Sequence, residues 1–285
     1  MYAITGATGQ LGRLAVTALL DQVPAGEIVA VVRTPDKAAD LAALGVVVRV
    51  GDYDRPETLT AAFAGVSKLL LISSNDIGRR EAQHGAAIEA AREAGVGLIA
   101  YTSLLHADTT TLDLGIEHRA TERLLSESGV PFVLLRNGWY TENFTARVEA
   151  ALATGVLPGS AGGGRVSSAA RADYAVAAAA VLTAADDQDG RIYELAGDSG
   201  YTLSDFAAAI AAQAGKAVAY TDLPEAAYRQ VLIGAGVPDG FAGFLSECDA
   251  KTATGALFDD GGDLAALIGR PTTPIAVTIA AILAG

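Results

Sequence analysis

Cysteine is almost missing from this chain of 285 residues: Cys248 stands alone. One cysteine forms no intramolecular disulfide, and no Cys/His spacing suits a metal, so no metal site is expected. Cys248 reads as a small, semi-buried hydrophobe rather than a reactive thiol. Lysine is scarce as well, at positions 37, 68, 216 and 251 only, and Lys+Arg 20 against Asp+Glu 33 leaves a net charge of -13. An acidic surface without a local basic cluster repels phosphate backbones, which argues against nucleic-acid partners. No uninterrupted apolar run is long enough to span a bilayer, so no membrane insertion is expected. The first residues go straight into a strand pattern without a basic stretch before an apolar one, so the expectation is a soluble, cytoplasmic protein. Aromatic residues make up only 6% of the chain and charged residues 19%, while 51% are hydrophobic. That balance excludes global disorder and favours alanine-rich helices packed closely on a sheet.

What is present is an alternation of short apolar strands with helices. Tyr2 to Thr5, Glu27 to Arg33, Val46 to Val50, Lys68 to Ser74, Gly97 to Ser103 and Pro131 to Arg136 read as strands. Helices are predicted over Leu11–Asp21, Pro35–Leu44, Pro56–Phe63, Arg79–Ala94 and Ile116–Ser128, several of them ended by glycine. Continuous apolar strands separated by helices are the sequence form of a parallel sheet covered on both faces. The fold class is therefore α/β: a Rossmann-type doubly wound parallel sheet with a smaller C-terminal α/β lobe.

After Arg136 the rhythm changes. Residues 159–164 form a glycine cluster that composition marks as a flexible loop, and Asp173 reads as a cap or first-turn residue of a helix over Tyr174–Ala185. A strand over Arg191–Leu195, a helix over Leu203–Ala214 and a strand over Ala217–Tyr220 follow. The division is 1–136 as the nucleotide-binding domain, joined by a returning segment near 165–200, and 137–285 as mainly a substrate-binding lobe.

In such sheets ligands bind beyond the carboxyl ends of the strands, which directs attention to the residues just after each strand. Gly6-Ala-Thr-Gly9-Gln-Leu-Gly12 lies between a strand and a helix. Glycines there permit a tight turn and let the backbone approach a pyrophosphate, whose charge meets the N–H groups of the following helix. The spacing is G-x-x-G-x-x-G rather than G-x-G-x-x-G, and a lone triplet is also compatible with an ordinary turn. At the end of the second strand a site for NAD usually carries Asp or Glu for the ribose 2′-hydroxyl. This chain has Arg33 instead, either a partner for a 2′-phosphate or a solvated surface arginine; the missing carboxylate favours the first and makes NADP(H) the expected cofactor.

The blocks ITGATGQLG, LLLISS, IAYTSLLHAD, LLRNGWYTEN, ARADYA, YELAGDS and ALFDD run along nearly the whole chain. In them the chain resembles the NmrA-like branch of the atypical short-chain dehydrogenase/reductases, and within it the bacterial NADPH-dependent quinone oxidoreductases of type 2. The resemblance implies cofactor contacts at Gly6, Thr8, Gly9, Gln10 and Leu11, at Arg33, and at Ser73, Ser74 and Asn75. It implies further contacts at Asn137, Gly138, Trp139, Tyr140, Thr141 and Glu142 beside the nicotinamide, and at Arg171 and Asp173 from the returning segment. Ser73, Ser74 and Asn137 also sit where the strand-end rule points, although serines there equally form turns and caps.

The wider superfamily donates a proton from a Ser and a Tyr-x-x-x-Lys pair, and no Tyr-x-x-x-Lys occurs here. Where that pair would lie stand His118 and Glu122, on one helical face, with Ser103 in a plausible serine position. A quinone needs less help than a ketone: it is already electrophilic, and its hydroquinone anion can be protonated later, so the protein mainly positions the ring. Asn137, Trp139, Tyr140 and Asn143 are the candidate pocket, with Tyr140 and Asn143 toward the substrate, Trp139 being equally readable as a core anchor. His118 and Asn137 are the candidate catalytic groups, a lone histidine on a helix being also a common structural residue. The implied partner is a small-molecule quinone, and a homodimer is compatible with the chain. The alternative from the same branch is a non-catalytic NADP(H)-binding redox sensor acting through a protein partner.

Overall fold

The computed structural model describes residues 1–284. Its strands are β1 (Tyr2–Thr5), β2 (Ile28–Val32), β3 (Val47–Val50), β4 (Lys68–Leu71), β5 (Leu98–Leu104), β6 (Phe132–Asn137), β7 (Val156–Gly159), β8 (Arg165–Val166), β9 (Ile192–Leu195), β10 (Tyr201–Thr202) and β11 (Ala219–Asp222). Seven of them form one parallel sheet in the order β3-β2-β1-β4-β5-β6-β9. The order reverses between β1 and β4, which makes the crevice beyond their carboxyl ends the expected ligand site. The helices are α1 (Gln10–Leu20), α2 (Ala39–Ala43), α3 (Glu57–Phe63), α4 (Arg80–Glu93), α5 (Leu114–Ser128), α6 (Thr145–Thr154), α7 (Arg171–Thr183), α8 (Leu203–Ala214), α9 (Glu225–Gly234), α10 (Asp239–Thr252), α11 (Asp263–Ile268) and α12 (Ile275–Ala284). None is long and apolar enough to cross a membrane.

The period-two geometry of strands sorts the apolar residues onto two faces. Ile4, Ala30, Val32, Leu70, Ala100 and Val133 meet α1 and the alanine-rich α7 on one side. Ala3, Val29, Val31, Leu69, Ile99 and Leu134 meet α3, α4 and α5 on the other. Alanines such as Ala15, Ala175 and Ala178 let α1 and α7 approach each other closely. A third core, around Phe144, Leu157, Phe206, Ile210 and Cys248, belongs to the lobe built from β7, β11, α6, α8, α10 and α12. Cys248 is 2% exposed, and burial pushes its thiol well above the ordinary value.

Several local expectations change in the structure, each for a physical reason. The helix expected over Pro35–Leu44 splits into a 3-10 turn, Pro35–Ala38, and the short α2. The Lys37 carbonyl, which a continuous helix would give to Leu41, is taken by the Arg13 guanidinium at 2.6 Å. The strand expected over Lys68–Ser74 stops at Leu71, because Thr5 and Thr102 side chains accept the Ile72 and Ser73 N–H groups. The strand expected over Ala217–Tyr220 lies two residues later, paired parallel with β7.

The glycine cluster at 159–164 is not a loose loop. Ser160 N–H donates to Asp249, Ala161 N–H to Tyr220 and Gly162 N–H to Asp222. A β-carbon on Gly164 would lie 2.2 Å from the Thr252 carbonyl oxygen, so glycine is there to let α10 come close. Of the two expected places, cap or first turn, Asp173 takes the second. It sits fully buried in the first turn of α7 and accepts from Arg270 Nη2 at 2.7 Å, the Thr273 N–H at 2.7 Å and the Thr273 hydroxyl at 3.1 Å. That carboxylate moors the chain leading into α12. Asp173→Ala should lower stability by about 2–3 kcal/mol, because it leaves the half-buried Thr273 N–H without its acceptor and breaks three bonds at once. Urea denaturation checks it, and a loss under about 0.5 kcal/mol would show that the segment holds without the carboxylate.

Candidate active site

The glycine turn follows β1 directly. Gly6 has φ +60°, a conformation that favours glycine, and the Gly9 N–H closes the turn on the Gly6 carbonyl at 2.8 Å. A β-carbon on Gly12 would fall 2.3 Å from that same carbonyl oxygen. Gly9 and Gln10 are exposed and Thr8 is half-buried at the mouth, whereas the Leu11 side chain faces the core, leaving only its backbone for a ligand. No side chain accepts the first N–H groups of α1. The turn thus presents unpaired backbone donors at a helix N-terminus, an arrangement that attracts phosphate.

Beside it, the loop after β4 is pinned by buried side chains. The Ser74 N–H donates to His84 Nε2 at 2.9 Å, and Arg80 Nε donates to the Ser74 carbonyl at 2.5 Å. The Ser74 hydroxyl is committed to Gln83 at 2.6 Å and also accepts the Asp76 N–H, while Asn75 is exposed. The serines therefore shape this loop, and its free surface is Ser73 and Asn75.

His118 lies behind that loop, 3% exposed, not at the crevice. Arg80 can only donate, so His118 Nε2 at 3.3 Å accepts and Nδ1 carries the proton given to the Tyr101 hydroxyl at 2.8 Å. By the same reasoning His84 Nε2 accepts from Ser74, and Nδ1 donates to Thr121 at 2.8 Å. Burial first, then the Arg80 charge, holds His118 well below its ordinary value of 6.5 and pushes His84 down to about 3. A group so enclosed is a hydrogen-bond link in the core, which corrects the expectation of a proton donor.

Ser103 and Glu122 meet, but in a closed charge cluster. Ser103 Oγ donates to Glu122 at 2.5 Å, and Arg136 binds Glu122 at 2.8 Å, Glu194 at 2.8 Å and Asp108 at 3.0 Å. Burial opposes the Arg136 charge, yet the bonds to Glu122 and Glu194 outweigh it and hold the guanidinium above its ordinary range. With its oxygen pointed at a carboxylate, Ser103 is not set up as half of a proton-donating pair.

The segment after β6 brings the remaining candidates together. The Glu142 carboxylate accepts the Arg171 N–H with both oxygens at 3.0 Å, capping α7 from the other side of the crevice. This places the Arg171 guanidinium 4.7 Å from the Tyr140 ring centroid and 3.4 Å from Asn143 Oδ1. The Asn137 amide reaches the Tyr140 hydroxyl at 3.3 Å, and its other end is buried without a partner. Burial raises the Tyr140 phenol, so it stays protonated at neutral pH. Gly138 passes close to the Leu195 carbonyl and the Tyr174 hydroxyl, and Thr141 is buried against Ser168 at 2.9 Å. Trp139 turns the other way, 6.4 Å from Phe244 of α10. Asn137, Tyr140, Asn143 and Arg171 form one cluster of neutral polar groups with a single cation.

A family model described as NAD(P)H-binding matches residues 6–185. The chain belongs to this NAD(P)H-binding family. It is 52% identical over 279 residues to quinone oxidoreductase 2 of Escherichia coli K12, covering 98% of this chain and 97% of that one. The crystal structure of the E. coli NADPH-dependent quinone oxidoreductase 2 with NADPH superposes with a TM-score of 0.97 at 51% identity, covering 99% and 100% of the two chains. Triphenylmethane reductase of Citrobacter sp. with NADP(H) gives a TM-score of 0.95 at 37% identity, over 99% and 100%.

The residues present fit the cofactor of an NAD(P)H-binding family member. The glycine cradle has no room for a β-carbon at Gly12, the first N–H groups of α1 have no side-chain partner, and one end of the Asn137 amide is an orphan. Arg33 is exposed at the end of β2, with no ion pair among the described residues. Arg13 went unnoticed in the sequence, though it follows Gly12 directly. Its guanidinium pairs with Asp40 and the Lys37 carbonyl, adding a second cation beside the turn after β2. Arg80 and His84 were missed as well, because nothing in a helix pattern tells that their side chains reach back to a loop.

The two enclosed histidines set a pH dependence of stability. Both are neutral when folded, and an unfolded histidine protonates near 6.5. Above about pH 7 their contribution is constant; as pH falls below 6.5 toward the depressed folded values, the unfolded chain takes up protons that the folded chain refuses. Each histidine then removes up to about 1.4 kcal/mol per pH unit. His118→Gln should flatten the loss between about pH 6 and 5 by most of one histidine's share. Denaturation midpoints at the two pH values measure this, and an unchanged slope would mean that His118 titrates normally in the fold.

Proposed function

We propose that this chain is an NADPH-dependent oxidoreductase that reduces a quinone to its hydroquinone by two electrons. The observation that carries this reading is a full-length likeness to E. coli quinone oxidoreductase 2, joined to a strand-end site of neutral polar groups. The turn of Gly6, Thr8, Gly9, Gln10 and Leu11 would hold the pyrophosphate, chiefly through the free N–H groups at the start of α1, with Arg33 and Arg13 toward the 2′-phosphate. Ser73, Ser74 and Asn75 form the wall along the ribose. Asn137, Gly138, Tyr140, Glu142 and Arg171 would border the nicotinamide, with the orphaned end of the Asn137 amide left to meet it, while Trp139 and Thr141 are turned to other partners. NADPH, once bound, supplies the hydride and with it both electrons.

The protein's own work is positional. Tyr140, its ring covered by Arg171 and its hydroxyl bonded to Asn137, offers a protonated phenol and no base. Asn143 and Tyr140 orient the acceptor, while the Ser103–Glu122–Arg136 cluster keeps its charges to itself. A ketone would find in this setting only a phenol that burial makes a reluctant acid. A quinone does not need one at the moment of reduction, because its anion is stabilised by aromaticity and takes its proton from water afterwards. The division of labour we propose is the sheet with α1 and α7 for the cofactor, and the lobe beyond residue 137 for the acceptor.

Purified protein with NADPH should consume reduced nicotinamide in the presence of benzoquinones or naphthoquinones. Tight NADPH binding without turnover of any quinone would sink this function. Arg33→Ala should raise the Kd for NADPH about ten-fold, through loss of a charge-assisted bond, and leave NADH within about two-fold. Equal losses for both dinucleotides would remove Arg33 from the 2′-phosphate.

A further inference from the structure

Beyond the carboxyl ends of β4 and β5 lies an open groove of about 480 Å³, lined by Ile77, Asp113, Phe241, Phe244 and Glu247. Two of its walls are apolar side chains that nothing in the chain covers: Ile77 is 56% exposed and Phe241 is 52% exposed. Phe241 stacks on Phe244 at 5.8 Å with the rings 16° apart, and Phe244 in turn lies 6.4 Å from Trp139. The aromatic row therefore runs from solvent to Trp139, which lies between Gly138 and Tyr140 in the segment after β6. The rim is acidic. Asp113 is exposed and forms no ion pair among the described residues; Glu247 accepts the Asp113 N–H at 3.1 Å and has Lys251 at 3.7 Å. Lys251 is drawn aside to the Thr111 carbonyl at 2.6 Å, so the rim keeps a net negative charge.

We propose that this groove seats the acceptor, and that it selects flat, uncharged or cationic rings while turning away anionic ones. The inference rests on the quinone-reduction reading for its occupant and adds to it the charge class and the residues that choose. Stacked faces at Phe241 and Phe244 favour a planar ring, which offers the same geometry back. An unpaired carboxylate at the mouth repels a sulfonate or carboxylate on the incoming molecule and attracts a cation. A second copy of the chain is a poorer occupant. Two exposed apolar side chains fall far short of the roughly 800 Å² per partner that a stable interface buries.

The test uses naphthoquinones on a common alkyl tether ending in a methyl, a sulfonate or a trimethylammonium group, which leaves the ring potential matched. Two readouts are taken: steady-state KM with NADPH, and quenching of Trp139, the chain's single tryptophan, which needs no turnover. The sulfonate should bind several-fold more weakly than the other two, and Asp113→Asn should narrow that gap by roughly three-fold. Phe241→Ala should raise KM and the quenching Kd for the methyl compound about ten-fold, with NADPH affinity unchanged. Phe241→Tyr, which keeps the stacking face, should restore both. If quinones turn over but Phe241→Ala and Asp113→Asn alter neither KM nor quenching, the groove is not the acceptor seat and the quinone reading stands. If no quinone turns over, that reading fails, and the quenching series still decides the groove: Phe241-dependent quenching retains it as a ring-binding site, and its absence overturns it.

Discussion

At the point where β1 and β4 part, one hydroxyl stands in for the next rung of the ladder. Thr5 donates to the Leu70 carbonyl and accepts from the Ile72 N–H, so the two strands stay satisfied while the chains diverge. Thr102 does the same for Ser73 from the neighbouring strand. A crevice in a sheet would otherwise leave buried N–H groups without partners, each a loss of about 1–3 kcal/mol. Because these bonds are met, β1 can turn sharply through Gly6 and β4 can run out into a loop whose backbone is fixed by His84 and Arg80. The space between them is the crevice we propose for the cofactor.

The same device recurs across the crevice. Glu142 caps α7 through the Arg171 N–H, and this single carboxylate ties the segment after β6 to the helix that returns to the sheet. It fixes Arg171 over Tyr140, and Tyr140 in turn stands against Tyr174 at 5.1 Å. At the other end of that first turn, Asp173 holds the stretch from Arg270 to Thr273. One helix N-terminus thus gathers two distant pieces of chain, each held by a carboxylate rather than by apolar contact alone.

Which of this was legible in the sequence follows from distance along the chain. The parallel sheet, the glycine turn and the strand-end location of Asn137 are local signals: apolar runs, turn glycines and alternation each speak within a window of a few residues. The links that make the site are not local. Glu142 meets Arg171, Asp173 meets Arg270 and Ser74 meets His84 through side chains whose direction no periodicity reveals. His118 shows the limit most plainly. Its place on a helical face beside Glu122 was readable, but not that the face turns inward to Tyr101 and Arg80. The glycine cluster at 159–164 misled for the complementary reason: composition reports freedom of the backbone, whereas Gly159 and Gly164 are needed because Asp249 and Thr252 leave no room for anything larger.

The electrostatic outcome bears on chemistry. In a chain of net charge -13, the interior near the crevice holds its cations in closed pairs, Arg136 with Glu122 and Glu194, and Arg147 with Asp249 at 2.8 Å. Its enclosed histidines are neutral and its buried phenols protonated. No group at the strand-end cluster is poised to exchange a proton near pH 7, so this fold suits acceptors that need orientation more than acid catalysis. The aromatics are shared between the two parts: Phe63, Tyr101 and Tyr174 are buried among aliphatic and alanine side chains on the sheet faces, while Trp139, Phe144, Tyr201, Phe206 and Phe244 gather in the second lobe. Neutral amides and phenols at the strand ends offer an acceptor groups to lie against rather than charges to exchange, which is what an already electrophilic ring requires.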